Sequence, residues 1–278
     1  MPRGWFEYES GHAWCESAYK YQTNPYIAEF ANTVTNLPII VLPLINALLL
    51  RQYTAKVNAS ILIPNLLLTV NGIASTYYHA TINLFGQLVD ELAILWIINT
   101  FLVVYAPIAK WYPKQHKDKM HIFQATVILV ALIISAFCFI QPSLNALALM
   151  LYSVPGVMVI QYEAKMSGIP EIAGFPRRVF LLWGAAVVFW FSDRLMCDVW
   201  LYLGTPYLHA IFHLLSSVAA YSVFVMFSVI DVETRSDAHR FTVAIRYFPD
   251  KTGPIWSLPY LSLMEKENTE TACPLQPV

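Results

Sequence analysis

Seven stretches of this chain are apolar enough to cross a bilayer, and the loops between them are too short to fold independently. A membrane-crossing helix needs roughly 20 mainly apolar residues, because lipid leaves every backbone N–H and C=O to be satisfied within the segment. The stretches fall at about 30–50, 60–82, 87–107, 121–141, 143–163, 178–198 and 207–230. With 57% hydrophobic and 13% charged residues among 278, spans and loops use nearly the whole length. The expected fold is all-α, a seven-transmembrane helix bundle over residues 29–231. A lumenal segment, 1–28, precedes it, and a loosely ordered cytosolic tail, 232–278, follows. The first 28 residues lack an apolar h-region, so the first span serves as its own insertion signal. Gln141, Pro142 and Ser143 form a tight turn that pairs the fourth and fifth spans as a hairpin.

Charge sets the orientation. Lys and Arg crowd the first, third and fifth loops (Arg51, Lys56; Lys110, Lys114, Lys117, Lys119; Lys165, Arg177, Arg178) and the tail, while the second, fourth and sixth loops carry none. The positive-inside rule therefore places the odd loops and the C-terminus in the cytosol and the N-terminus in the lumen. A net charge of −1 argues against a nucleic-acid partner. Asn58-Ala59-Ser60 matches a glycosylation acceptor but lies in a cytosolic loop, so no glycan is expected.

Ionisable residues at membrane depth are expensive and mark functional sites. Ser75 and His79 are four apart late in the second span, and His209 and His213 are four apart early in the seventh, so each pair shares a helix face. Asp90 and Glu91 begin the third span. With the assigned topology all of these lie in the lumenal half. Three neutral imidazoles with an open fourth position are a catalytic zinc pattern, in which zinc lowers the pKa of bound water to about 7. Asp90 suits a general base that later protonates the leaving group, and Ser75 suits an oxyanion donor. Asp193, Arg194 and Asp198 read as a structural charge cluster near the end of the sixth span.

Cys15 and Cys197 both fall on the lumenal side, where a mutual disulfide or two free thiols are chemically allowed. Cys138 reads as a small core residue, and Cys273 as a reduced thiol in the tail.

These residues resemble the alkaline ceramidase family, within a wider group of seven-span hydrolases that includes the adiponectin and progestin receptors. The likeness runs from about Trp14 to Val229. Trp14-Cys15-Glu16 and Ala28-Glu29-Phe30 through Asn32-Thr33 are its narrower part. Ser75 to His79, Gly86 to Glu91 and His209 to His213 are shared with the wider group. The resemblance implies zinc held by His79, His209 and His213, catalytic Ser75 and Asp90, and a disulfide between Cys15 and Cys197. It implies hydrolysis of ceramide, drawn from membrane lipid, to sphingosine and fatty acid in the endoplasmic reticulum or Golgi. It also implies a calcium site using Trp14, Glu16 and Glu29, although Ala13 and Ala18 stand where an aspartate and an asparagine are expected. The competing reading is a receptor of the adiponectin or progestin type sharing the zinc core. A second rival, a transporter, calls for polar groups through the full membrane depth, whereas the sequence gathers them in one leaflet.

Overall fold

The computed structural model describes residues 6, 14–139, 145–235, 241–249 and 257–265. Among them, six helical segments are long and apolar enough to cross a membrane: Phe30–Leu49, Ala59–Thr81, Leu84–Tyr105, Lys114–Cys138, Pro170–Leu195 and Leu208–Thr234. They coincide with six of the seven expected runs. A further helix of 23 residues, Asn145–Ser167, occupies the position of the fifth run. The chain is mostly helical, with the apolar helices of a multi-pass membrane protein. The expected turn at Gln141, Pro142 and Ser143 lies outside the described residues, as do Ala13 and Cys273.

In chain order the α-helices are α1 (Phe30–Val34), α2 (Leu37–Leu49), α3 (Arg51–Lys56), α4 (Leu62–Thr81), α5 (Leu84–Tyr105), α6 (Met120–Cys138), α7 (Asn145–Ser167), α8 (Phe175–Leu195), α9 (Cys197–Tyr202) and α10 (Leu208–Thr234). The first span is split: α1 ends at Thr35, and α2 restarts with Pro38 in its first turn, where a missing N–H costs nothing. α4 and α5 form a tight hairpin. Ile82 takes a left-handed conformation at φ 52°, and the Asn83 side chain accepts the Gly86 N–H at 2.7 Å as an N-cap. A Cβ on Gly86 would meet Tyr78 Cα at 2.9 Å, so this turn requires glycine.

The long helix α10 is the axis of the bundle, packed mainly on α8 and also on α2, and most of its length from Ser217 to Val232 is buried. α6 is the opposite case. Only Ala131 is buried on it, and Ile128, Leu129, Leu132 and Ile133 face outward, an arrangement that lipid tolerates and water would not. Cys138, expected in the core, is half-buried on this peripheral helix.

Two findings depart from the sequence reading. The tail, expected to be loose, contains antiparallel strands β1 (Phe241–Phe248) and β2 (Leu258–Glu265), so the fold is not purely α. Phe241 and Leu261 drop into the core against α10, and Tyr53 meets the Phe241 ring at 6.2 Å. A period-two run this short, carrying Arg246 and Pro259, gives little signal until a helix supplies the surface to cover. The buried polar residues are also not confined to one half. Towards the end of the bundle away from the histidines, Asn46 Nδ2 donates to Asn65 Oδ1 at 3.0 Å and Ser228 Oγ at 3.4 Å. Nearby, buried Asp231 accepts from Tyr53 Oη at 2.6 Å, from Asn58 Nδ2 at 2.9 Å and from Arg235 Nε at 3.0 Å. A glycan on Asn58 would replace the bonds from Nδ2. Burial and the adjacent Asp231 carboxylate push the Tyr53 phenol above its ordinary range, so it remains a donor.

Tyr53→Phe leaves that buried carboxylate one donor short and is expected to cost about 1–3 kcal/mol. Lys56→Ala, which breaks an exposed pair with Glu265, is expected to cost no more than about 1 kcal/mol. Thermal unfolding in detergent checks both; equal losses would mean that Asp231 gains nothing from Tyr53.

Candidate active site

The last turns of α4 carry Ser75 and His79, the first turns of α5 carry Asp90 and Glu91, and the first turns of α10 carry His209 and His213. Because α4 ends where α5 and α10 begin, four-residue spacing on each helix delivers these groups to one level. All three imidazoles are buried, and one ring nitrogen from each lies within 4.8 Å of the others. The ring centroids are 4.5 to 5.1 Å apart.

What holds each ring decides which nitrogen is left over. His79 Nδ1 lies 2.6 Å from Glu29 Oε2. Glu29 also accepts from Ser17 Oγ and from Asn32 Nδ2, the latter at 3.1 Å. A carboxylate accepts all three bonds, so His79 Nδ1 is the donor to Glu29 and Nε2 is the ring nitrogen turned away from it. His213 Nδ1 reaches the Asn32 carbonyl at 3.1 Å, which can only accept, so the same tautomer follows. His209 is held by stacking, its ring 3.6 Å from that of Trp14, and its Nδ1 is buried with no hydrogen-bond partner among the described residues. Carboxylate and carbonyl partners behind two imidazoles, with a buried orphan nitrogen on the third, fit a divalent transition metal.

The N-terminal segment clasps this cluster from outside the bundle. Cys15 is joined to Cys197 by a disulfide with the Cα atoms 5.3 Å apart. Asp193 accepts the Cys15 N–H at 3.0 Å and the His209 N–H at 3.3 Å, and Arg194, read from the sequence as pairing with Asp193 or Asp198, also lies over the Trp14 ring at 5.3 Å. Glu16 spends both oxygens on the N–H groups that begin α1, Ala31 at 2.6 Å and Asn32 at 2.8 Å. The Trp14 carbonyl accepts from Ser17 N–H at 2.9 Å. The three groups expected around calcium all accept hydrogen bonds from the chain itself, and exposed Ala18 adds no side-chain oxygen.

Beneath the histidines opens a cavity of about 300 Å³. Ser75 and Asp90 line its head, and Asn71 donates to Asp90 Oδ1 at 3.2 Å and to the Asp90 carbonyl at 3.3 Å. Glu91, its neighbour in sequence, accepts from Gln87. Further down the lining turns apolar, with Leu68, Ile97, Val223 and Phe224. Sequence reasoning missed Asn71 and the parts played by Asn32 and Asp193. Asn71 left a signal, four residues before Ser75 on the same face.

Membrane-length helices that gather three imidazoles at the head of an apolar cavity define a polytopic protein with a buried three-histidine cluster that could hold a metal ion. A family model described as Ceramidase matches residues 6–262. The chain is 63% identical over 262 residues to the alkaline ceramidase of Caenorhabditis briggsae, covering 94% of this chain and 96% of that one. It is 34% identical over 250 residues to the alkaline ceramidase of Drosophila melanogaster (90% and 86% covered) and 29% identical over 259 residues to alkaline ceramidase 1 of Homo sapiens (93% and 96% covered). This chain belongs to the ceramidase family.

Glu29→Gln keeps the shape but removes the charge that anchors His79, and metal affinity is expected to fall about 10- to 100-fold. Titration of the metal-free protein with zinc, read by bound metal after gel filtration, measures this; unchanged affinity would make the Glu29 contact incidental.

Proposed function

We propose that the chain is a zinc-dependent amidohydrolase that cleaves ceramide to sphingosine and a free fatty acid. In this reading it works as a seven-span bundle of the endoplasmic reticulum or Golgi, with its N-terminus and site on the lumenal side and its C-terminus in the cytosol. The observation that carries the reading is the convergence of His79, His209 and His213 above an apolar cavity with Ser75 and Asp90 at its head. Membership of the ceramidase family, and relatives named alkaline ceramidase, favour a hydrolase over a receptor sharing the same core.

His79, His209 and His213 would hold zinc, which supplies the Lewis acidity that activates water and polarises an amide carbonyl. Asp90 accepts the proton of the attacking water as the new C–O bond forms. It returns that proton to the sphingosine nitrogen as the C–N bond breaks, so the site ends in its starting protonation state. Asn71 restrains the Asp90 carboxylate for both transfers. Ser75 donates to the oxygen that becomes negative when the carbonyl is attacked. The apolar lining takes the alkyl part of the substrate and excludes bulk water, which strengthens every polar contact at the head of the cavity.

His79→Ala, His209→Ala and His213→Ala are each expected to lose zinc and sphingosine release together. Asp90→Asn should keep zinc and lose turnover, and Ser75→Ala should keep zinc and turn over about 10²- to 10³-fold more slowly. Sphingosine release measured beside zinc content separates these outcomes; full activity in any histidine variant, or wild-type turnover in Asp90→Asn, removes that residue from the mechanism.

Calcium is expected to bind weakly. Calcium takes six to eight oxygen ligands, and here Glu16, Glu29 and the Trp14 carbonyl are committed to N–H, O–H and imidazole partners. Activity should therefore change little when a calcium-selective chelator is added to the zinc-loaded protein. A steep loss restored by calcium would show that the clasp rearranges around the ion.

A further inference from the structure

We infer that the loop between α5 and α6 is a preformed platform for the headgroups of anionic phospholipids, with Lys110, Lys114, Lys117 and Lys119 as its cations. The inference rests on the fold and is independent of the proposed hydrolysis.

Residues 110–121 hold four lysines, two histidines and a single acid, Asp118. All seven are exposed. Exposed Lys56 has Glu265 at 3.3 Å, whereas none of the four loop lysines forms an ion pair with a described residue. Their charge is therefore left for a partner outside the chain. Orientation of a membrane protein requires only that such charges be present in a loop, not that the loop be folded.

Here the loop is folded. Buried Glu163 of α7 accepts the backbone N–H groups of Lys110 and Trp111, both at 2.8 Å. The His116 N–H donates to the Pro113 carbonyl at 3.0 Å, and Tyr112 Oη donates to the His116 carbonyl at 3.1 Å, which closes the turn. The Phe123 ring of α6 lies 5.6 Å from that of Trp111 and 5.1 Å from that of Tyr112, so the loop is pinned at both ends. Lys114–Lys119 then forms a 3₁₀-helix, in which side chains three apart eclipse. Lys114 thus shares a face with Lys117, and His116 with Lys119. A backbone fixed before contact lowers the ordering cost of binding.

Placement selects the partner. The 3₁₀-helix runs directly into α6, and the two make up the apolar segment Lys114–Cys138. Ile122, Ile128 and Leu129 of α6 are exposed, which suits contact with acyl chains. Lys119 stands three residues before Ile122, so the cations lie where the lipid-facing surface gives way to headgroups, beside the interfacial aromatics Trp111 and Tyr112. An ammonium group binds phosphate as a point charge. An acidic soluble protein would meet the same lysines but has no use for the lipid-exposed face that continues beneath them. The proposed orientation sets the loop against the cytosolic leaflet, where anionic lipids concentrate and each nearby lysine strengthens attraction about fivefold.

The test uses the full-length protein in detergent micelles seeded with equal amounts of phosphatidylserine and phosphatidylcholine of the same acyl composition. Phospholipid retained after affinity capture is counted by mass spectrometry. The wild type should retain phosphatidylserine over phosphatidylcholine by at least about 10-fold and lose that preference in about 1 M salt. Lys114→Gln combined with Lys117→Gln and Lys119→Gln should retain the two lipids equally, with thermal unfolding unchanged because all three side chains are exposed. A charge-matched control, Arg51→Gln with Lys165→Gln and Arg177→Gln, removes three exposed cations elsewhere and should keep the preference. No preference in the wild type, or equal losses in the two triple variants, overturns the inference. Capture of fluorescent polyglutamate by the wild type, lost in the lysine variant and without any lipid preference, would assign the surface to an acidic protein segment and overturn the choice of partner.

Discussion

Lipid offers polar groups no hydrogen bonds, so each one buried in this bundle must find its partner elsewhere in the chain. That constraint organises both ends of the molecule. At the histidine end, Glu29 and the Asn32 carbonyl each take an imidazole N–H, which fixes the orientation of both rings. Asp193 takes the N–H groups of Cys15 and His209, so a single carboxylate ties the outer clasp to the helix that carries His209 and His213. At the other end, Asp231 gathers Tyr53, Asn58 and Arg235. Replacing either acid would strand several donors together, so each network stands or falls as a unit.

The helices were legible because a membrane span is announced by length and apolarity alone, as in the run from Leu84 to Tyr105. The site was legible because its residues repeat at helical spacing on segments whose ends meet. His209 and His213 need only the period of a helix to be paired, and the direction of the chain through the membrane sets their level with His79. The polar network away from the site left no comparable trace. Asn46 is a lone amide in an apolar run, and its partner Ser228 lies 182 residues away, a separation that no local period encodes. The strands of the tail failed for a related reason: their alternation acquires meaning only against α10, which covers Phe241 and Leu261.

The clasp also changes how Glu16 and Glu29 are understood. Read as residue types, two acids near a tryptophan suggest a place for a cation. In three dimensions Glu16 accepts the N–H groups at the start of α1, and Glu29 sits behind the His79 imidazole of α4. Both carboxylates thus hold the start of the first span in place, and this span in turn supplies the carbonyl that orients His213.

The three histidines and the groups behind them are unevenly distributed along the chain, and this has a consequence for biosynthesis. Glu29, Asn32 and His79 emerge from the ribosome early, whereas His209 and His213 belong to α10, the last of the described helices. Until α10 is made, a nascent chain presents only His79 of the three, one donor where a zinc ion takes four. The cluster is therefore complete only once its most distant helix has joined the bundle.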